Sequence, residues 1–142
     1  MKHISNRISK KKLKAFTLTE VLVVLVIVGI LVLLALPNLL PLITKAKSTE
    51  AKIQLEHVYT LERTHFYEKS KYSNDLPAIG FIQEKLVTES ENGQANYQIE
   101  IVEASTTGFT AKATAVADFD GDGVYNVWQI DQEKNLQEVT PD

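Results

Sequence analysis

The sequence predicts an α+β fold, in which one long amino-terminal helix packs against a small antiparallel sheet. An uncharged apolar run from Val21 to Thr44 continues into a charged stretch, 45–72, that contains no proline or glycine. After that stretch, apolar and polar residues alternate with a period of two in three short segments, as they do in half-buried strands. At 142 residues the chain has room for one small domain besides the apolar run.

The apolar run is long enough to cross a bilayer. Its 24 residues would extend about 36 Å as a helix, against a hydrocarbon core of about 30 Å. The first fifteen residues carry six basic side chains and no acidic one, so the positive-inside rule puts the amino end in the cytoplasm. A cleavable secretory signal would have a shorter apolar core, of about 7 to 15 residues.

The remaining composition excludes several function classes. Beyond the first fifteen residues there are nine basic and eighteen acidic side chains, a net charge of −9, which gives no general attraction to nucleic acid. The chain has no cysteine, so thiol catalysis and thiolate metal sites are absent. No nucleophile and base pair, phosphate loop or catalytic metal cluster stands out, and we expect no enzyme.

The start of the apolar helix carries a lone carboxylate, Glu20. Thr17-Leu-Thr-Glu20 has the [ST]-x-x-[DE] spacing of a capping box, in which both side chains satisfy exposed amides. Alternatively the carboxylate has a cationic partner, because an unpaired charge near a bilayer is costly. A cut just before Phe16 would create an α-amino group that supplies this positive charge.

The segment Ala15-Phe-Thr-Leu-Thr-Glu20, followed by an apolar helix that contains Gly29 and Pro37, resembles the type III signal of type IV prepilins and of type II secretion pseudopilins. The resemblance implies that a membrane peptidase cuts between Ala15 and Phe16 and methylates the new amine of Phe16. Ala15 stands where the family usually has glycine. The resemblance further implies that Phe16, Glu20, Gly29 and the helix-bending Pro37 act in assembly.

The same resemblance divides the chain into a cleaved basic leader (1–15), a transmembrane or filament-core helix (16–44) and a soluble head (45–142). It implies a subunit that spans the inner membrane once, with its amino end in the cytoplasm, and ends in an extracellular fimbrium. The partners would be further copies in a helical homopolymer, the prepilin peptidase and the inner-membrane assembly machinery. We expect the helix to bend or melt at Gly29 and at Pro37 to Pro41 in the filament.

The charged stretch has one broad apolar face, which predicts packing against the sheet. Glu62 and Lys69 interrupt this face, Ile53 and Tyr67 lie opposite as candidates for subunit contacts, and the helix should end near 73–75. The face consists of Ala51, Leu55, Val58, Tyr59, Leu61, His65, Phe66 and Tyr72. The three predicted strands begin at Tyr97, Phe109 and Val124.

An acidic turn separates the last two predicted strands. Its D-x-D-x-D-G spacing is typical of a calcium loop, although Gln129 stands where an EF-hand has a bidentate carboxylate. The candidate calcium ligands are Asp118, Asp120, Asp122, the Val124 carbonyl and Asn126. The alternative is a hairpin tip whose aspartates are solvated.

These features predict a pilin, a structural subunit that needs no cofactor and can hold calcium. A pseudopilin of a type II secretion system is the first alternative, because it assembles by the same physics. A membrane-anchored calcium-binding domain that never polymerises is the second.

Overall fold

A computed structural model describes residues 15–89 and 91–142. Most of the predicted leader, residues 1–14, lies outside the described residues. The elements are α1 (Leu18–Lys69), a 3-10 helix (Pro77–Ile79), and the strands β1 (Tyr97–Ala104), β2 (Phe109–Ala115), β3 (Val127–Asp131) and β4 (Leu136–Thr140). The predicted α+β class, with one long helix before an antiparallel sheet, is confirmed.

The chain divides into two units, of which the first ends at Leu36 and the second begins at Pro37. In the first unit, the large apolar side chains from Val21 to Leu36 are all between 48% and 71% exposed. Helical geometry continues through Pro37 and Pro41. The expected bend concerns the assembled filament and stays a prediction.

Helix α1 ends earlier than the predicted 73–75. The last helical residue is Lys69, and Ser70 adopts a left-handed φ of 60°. A residue in this conformation ends a helix, because the chain turns away while the amide of Ser70 still bonds the carbonyl of Phe66 at 2.8 Å.

The sheet is a four-stranded antiparallel meander in the order β1-β2-β3-β4. The prediction of three strands was therefore wrong by one, because β4 was missed. The third strand also begins at Val127 and not at Val124. Residues 124–126 belong to the end of the acidic turn.

The second unit has a core between the buried stripe of α1 and the inward residues of β1, β2 and β3. The buried helix positions recur every three or four residues, as an amphipathic helix requires; they are Thr44, Ser48, Ala51, Leu55, Val58 and Glu62. The sheet contributes Tyr97, Ile99, Phe109, Ala111, Ala113, Ala115 and Ile130. The predicted packing of the helix face on the sheet is confirmed, and Ile53 and Tyr67 are exposed on the other side.

The prediction that Glu62 interrupts the buried face was wrong. Its side chain has no exposed surface and lies one turn beyond Val58 on the buried stripe. One carboxylate oxygen, Oε2, accepts a hydrogen bond from the amide of Ser73 at 3.0 Å. The other, Oε1, is buried without a partner among the described residues. The carboxylate thus ties the segment after the helix to the helix.

Candidate functional site

The amino end of α1 has the reciprocal geometry of a capping box. Glu20 Oε2 accepts hydrogen bonds from the amide and the hydroxyl of Thr17, at 2.7 and 2.8 Å. In return the Thr17 hydroxyl oxygen accepts the amide of Glu20 at 3.2 Å. The capping interpretation therefore holds within the chain. Because these bonds use one oxygen of an exposed carboxylate, they leave Oε1 available to a partner outside the chain.

The other residues predicted to act in assembly are each exposed. Phe16 is 85% exposed, and Pro37 is exposed within the helix. At Gly29 a Cβ atom would meet nothing within 4 Å, so no contact within the chain requires a glycine there. A close approach by another helix would give this glycine a role.

The acidic turn brings together three carboxylates, of which the sequence predicted two. One carboxylate oxygen each from Asp118, Asp120 and Asp142 lies within 4.8 Å of the other two. The Asp118 oxygens also accept the amides of Gly121 and Gly123, at 2.6 and 2.8 Å. Both glycines have positive φ, 85° and 89°, which explains why glycine occupies these turn positions.

The other predicted ligands take different roles. Asp122 Oδ1 accepts the amide of Val124 at 2.7 Å, within the turn. Asn126 is fully buried, and its Oδ1 accepts the hydroxyl of Tyr97 at 2.8 Å. Its Nδ2 donates to Glu138 Oε1 at 2.7 Å and to the Thr140 carbonyl at 3.1 Å.

The side-chain atoms of Asn126 are thus committed to neighbours in β1 and β4. The structure brings Asp118 and Asp120 together with Asp142, which sequence reasoning missed. Asp142 follows β4, and antiparallel pairing of β4 with β3 returns the chain beside the start of β3. A strand predicted over Leu136–Thr140 would have indicated that Asp142 lies near the acidic turn.

The carboxylates of the turn differ in their electrostatic surroundings. The amides of Gly123 and Gly121 lower the pKa of Asp118. The amide of Asp122 lowers the pKa of Asp120, but desolvation and the charges of Asp122, Asp142 and Asp118 outweigh it, so this pKa is raised. Asp142 Oδ1 is buried without a hydrogen-bond partner among the described residues. Because the donors are all oxygens, as calcium prefers, Asp118, Asp120 and Asp142 fit a calcium ion.

Comparison with known proteins identifies the amino-terminal segment. Residues 10–36 match the family model of the prokaryotic N-terminal methylation motif. The chain thus carries a prepilin-type methylation motif at its amino end. It is 39% identical over 72 residues to the type IV major pilin protein PilA of Myxococcus xanthus (strain DK1622). This match covers 51% of the chain and 33% of that protein's length.

The motif agrees with the physical character of α1. By length and composition, α1 is the one helix among the described residues that could cross a membrane, and none of its most apolar window is buried. The prepilin-type motif and this helix fit a protein that is anchored in a membrane.

Proposed function

We propose that this chain is the structural subunit of a type IV pilus and is not an enzyme. One observation carries the proposal: fourteen large apolar side chains from Val21 to Leu36 are about half exposed or more. Full burial of such a side chain is worth about 1.5 to 3 kcal/mol, so half of that burial is on the order of 10 to 20 kcal/mol for the set. A surface of this size requires lipid before assembly and a bundle of helices after it.

Processing would precede assembly. A prepilin peptidase would cut between Ala15 and Phe16 and methylate the new amine of Phe16, with the leader on the cytoplasmic side of the inner membrane. The match of residues 10–36 to a methylation motif supports this step. The mature subunit would then leave the membrane for a helical homopolymer, an extracellular fimbrium, through the inner-membrane assembly machinery.

Glu20 would guide assembly by pairing with the amine of Phe16 on a neighbouring subunit. An unpaired carboxylate in apolar surroundings is costly, and Glu20 Oε1 stays available beside the capping bonds. Glu20→Gln separates the two roles, because glutamine serves a capping box nearly as well but carries no charge. We expect this variant to be inserted and cut normally, and to enter filaments poorly as the only subunit.

The matched control is Thr17→Ala, which removes the hydroxyl partner in the capping box and keeps the carboxylate. Filament yield is compared after shearing cells that lack the wild-type gene. Normal piliation by Glu20→Gln, together with loss in Thr17→Ala, would leave the carboxylate as a helix cap and refute the pairing.

The proposal as a whole is tested by deleting the gene and examining surface filaments by electron microscopy with an antibody to the head, residues 45–142. Labelled filaments that disappear on deletion and return with the wild-type gene support a pilus subunit. Labelling restricted to the membrane of wild-type cells would overturn it.

A pseudopilin is a second candidate, favoured by the cluster of Asp118, Asp120 and Asp142. The resemblance to type II major pseudopilins implies a calcium site in this part of the chain. Such a subunit would assemble into a short periplasmic filament, so the absence of labelled surface filaments in cells that secrete through this system would favour it.

A further inference from the structure

The loop that leads into β1 contains the one Asn-Gly pair of the sequence, Asn92-Gly93. Asn92 is exposed and lies in a turn. Asparagine is a thermolabile residue, because the backbone nitrogen of the next residue can attack its side-chain carbonyl carbon. Glycine hinders this attack least, since it has no Cβ atom and its backbone is the most adaptable. The pair therefore has the composition that favours a spontaneous chemical change.

The fold requires the glycine of this pair. A Cβ atom on Gly93 would lie far inside contact distance of the carbonyl group of Leu86, because the two backbones pass each other closely. A larger residue would hinder the reaction, but it would also displace the backbone of Leu86. The glycine that makes Asn92 reactive is thus part of the loop's own packing.

The attacking nitrogen takes no part in the hydrogen bonds that close the loop. The carbonyl of Lys85 accepts the amides of Gln94 and Ala95, at 3.0 and 3.1 Å. In the described part of the chain, no acceptor is within hydrogen-bond geometry of the amide of Gly93. Attack by this nitrogen therefore breaks none of the bonds that hold the loop.

We propose that Asn92 is a site of spontaneous deamidation in the folded head. The Gly93 nitrogen bonds to the side-chain carbonyl carbon of Asn92, and the bond from that carbon to Nδ2 breaks. The Gly93 amide proton goes to the departing nitrogen, so ammonia leaves and a five-membered succinimide remains. Water then opens this ring at either carbonyl, which gives aspartate or isoaspartate. The reaction needs only the folded head and water, so it does not depend on assembly into a pilus.

Both products change the loop. Aspartate adds one negative charge to a body that has nine basic and eighteen acidic side chains. Isoaspartate also lengthens the main chain by one carbon atom between Leu86 and Ala95. These two residues form an isolated bridge, and the amide of Val87 donates to the carbonyl of Ala95 at 3.0 Å. An extra main-chain atom inside this closed segment should loosen the bonds that close it.

Two other exposed asparagines, Asn74 and Asn135, are internal controls. The residues that follow them, Asp75 and Leu136, both carry a Cβ atom that hinders the attack. The amide of Asp75 also donates to Ser73 Oγ at 3.1 Å, so this nitrogen is already engaged. We expect both asparagines to stay intact while the Asn-Gly pair reacts.

The reaction is tested on the purified full chain in non-ionic detergent, kept in warm, mildly alkaline buffer made with heavy-oxygen water. Peptide mapping by mass spectrometry follows each asparagine with time. We expect the Asn92 peptide to be lost and replaced by two labelled peptides of equal mass, one with aspartate and one with isoaspartate. Each should carry one heavy oxygen atom, because one water molecule opens the ring. The peptides with Asn74 and Asn135 should remain unlabelled.

Asn92→Gln is the matched variant, because it keeps the carboxamide but would have to form a larger ring. It should give no labelled product. Hydrogen exchange at the amide of Ala95 should become faster in the incubated wild type and stay unchanged in this variant.

The chain unfolded in urea gives the rate of the same reaction without the fold. An Asn92 peptide that stays unchanged in the folded chain would overturn the proposal, whether or not it converts in urea. Labelling of Asn74 or Asn135 as fast as that of Asn92 would also overturn it, because neither the glycine nor its unbonded amide would then matter. These measurements need no filaments, so their outcome is independent of the proposed function.

Discussion

Replacing Asn126 with aspartate separates a structural role from calcium binding. A ligand position would gain a carboxylate and bind calcium more tightly. The fully buried Asn126 side chain, however, donates through Nδ2 to Glu138 Oε1 at 2.7 Å and to the Thr140 carbonyl at 3.1 Å. Aspartate keeps the acceptor for the Tyr97 hydroxyl, loses both donations and faces Glu138 with a second carboxylate.

The expected loss follows from these two bonds. A hydrogen bond to a charged acceptor contributes about 1.5 to 3 kcal/mol and a neutral one about 0.5 to 1.5 kcal/mol. Asn126→Asp should therefore lower the free energy of unfolding by about 2 to 4.5 kcal/mol, before any repulsion from Glu138. Urea unfolding of the full chain in non-ionic detergent measures this loss through the fluorescence of Trp128, the single tryptophan.

Asn135→Asp is the matched control. Asn135 also donates to two carboxylates, Asp131 and Glu133, but is exposed, so solvent should limit the loss to about 1 kcal/mol. If Asn126→Asp unfolds like the wild type and binds calcium more tightly, the residue is a ligand and its assignment to the core is wrong.

Three further predictions concern the core and the acidic turn. Desolvation raises the pKa of Glu62 above its ordinary 4.5, and the Ser73 amide and the charge of His65 offset only part of this rise. The folded state therefore holds the Glu62 proton more tightly than the unfolded state does. The resulting stability of the fold is present below pH 4.5 and is lost as the pH rises through the raised pKa. Glu62→Gln should remove this loss, seen as a smaller difference between unfolding at pH 4.5 and 7.5 than in the wild type. Leu55 has no exposed surface, so Leu55→Ala should lower the free energy of unfolding by about 2 to 5 kcal/mol. Ile53 is 64% exposed, so Ile53→Ala should change it by no more than about 0.5 kcal/mol. Equal losses in the two variants would contradict the assigned core. Calcium should raise the melting temperature of the wild type and not that of Asp142→Asn, and a chelator should reverse the increase. A melting temperature that calcium does not change would show that the turn is a hairpin tip with solvated aspartates.

Sequence periodicity predicted the helix and its packing because both depend on local spacing. The buried helix positions follow a 3.6-residue repeat that continues without proline or glycine from Lys45 onward. Glu62 interrupts the series of apolar residues on this face, but it lies at a position that the helical repeat places on the buried side. Its burial depends on an amide eleven residues later, at Ser73, and a helix pattern carries no information about that partner.

The acidic turn shows a similar limit. Spacing indicated Asp118 and Asp120, which lie two residues apart. The third carboxylate, Asp142, is contributed after β4, whose exposed and irregular pattern over Leu136–Thr140 gives little strand signal. The role of Asn126 depends on Tyr97, 29 residues earlier in the chain. The surroundings of Asp142 and of Asn126 depend on how the strands pair, and the spacing of residues in one sequence does not reveal that pairing.

Mass analysis of the subunit in sheared surface filaments tests most directly whether this chain is processed and polymerised as a pilin. We expect a subunit that begins at Phe16, carries one methyl group on its α-amine and retains every residue through Asp142. Filaments whose subunit begins at Met1, or begins inside the apolar run after Val21, would contradict it.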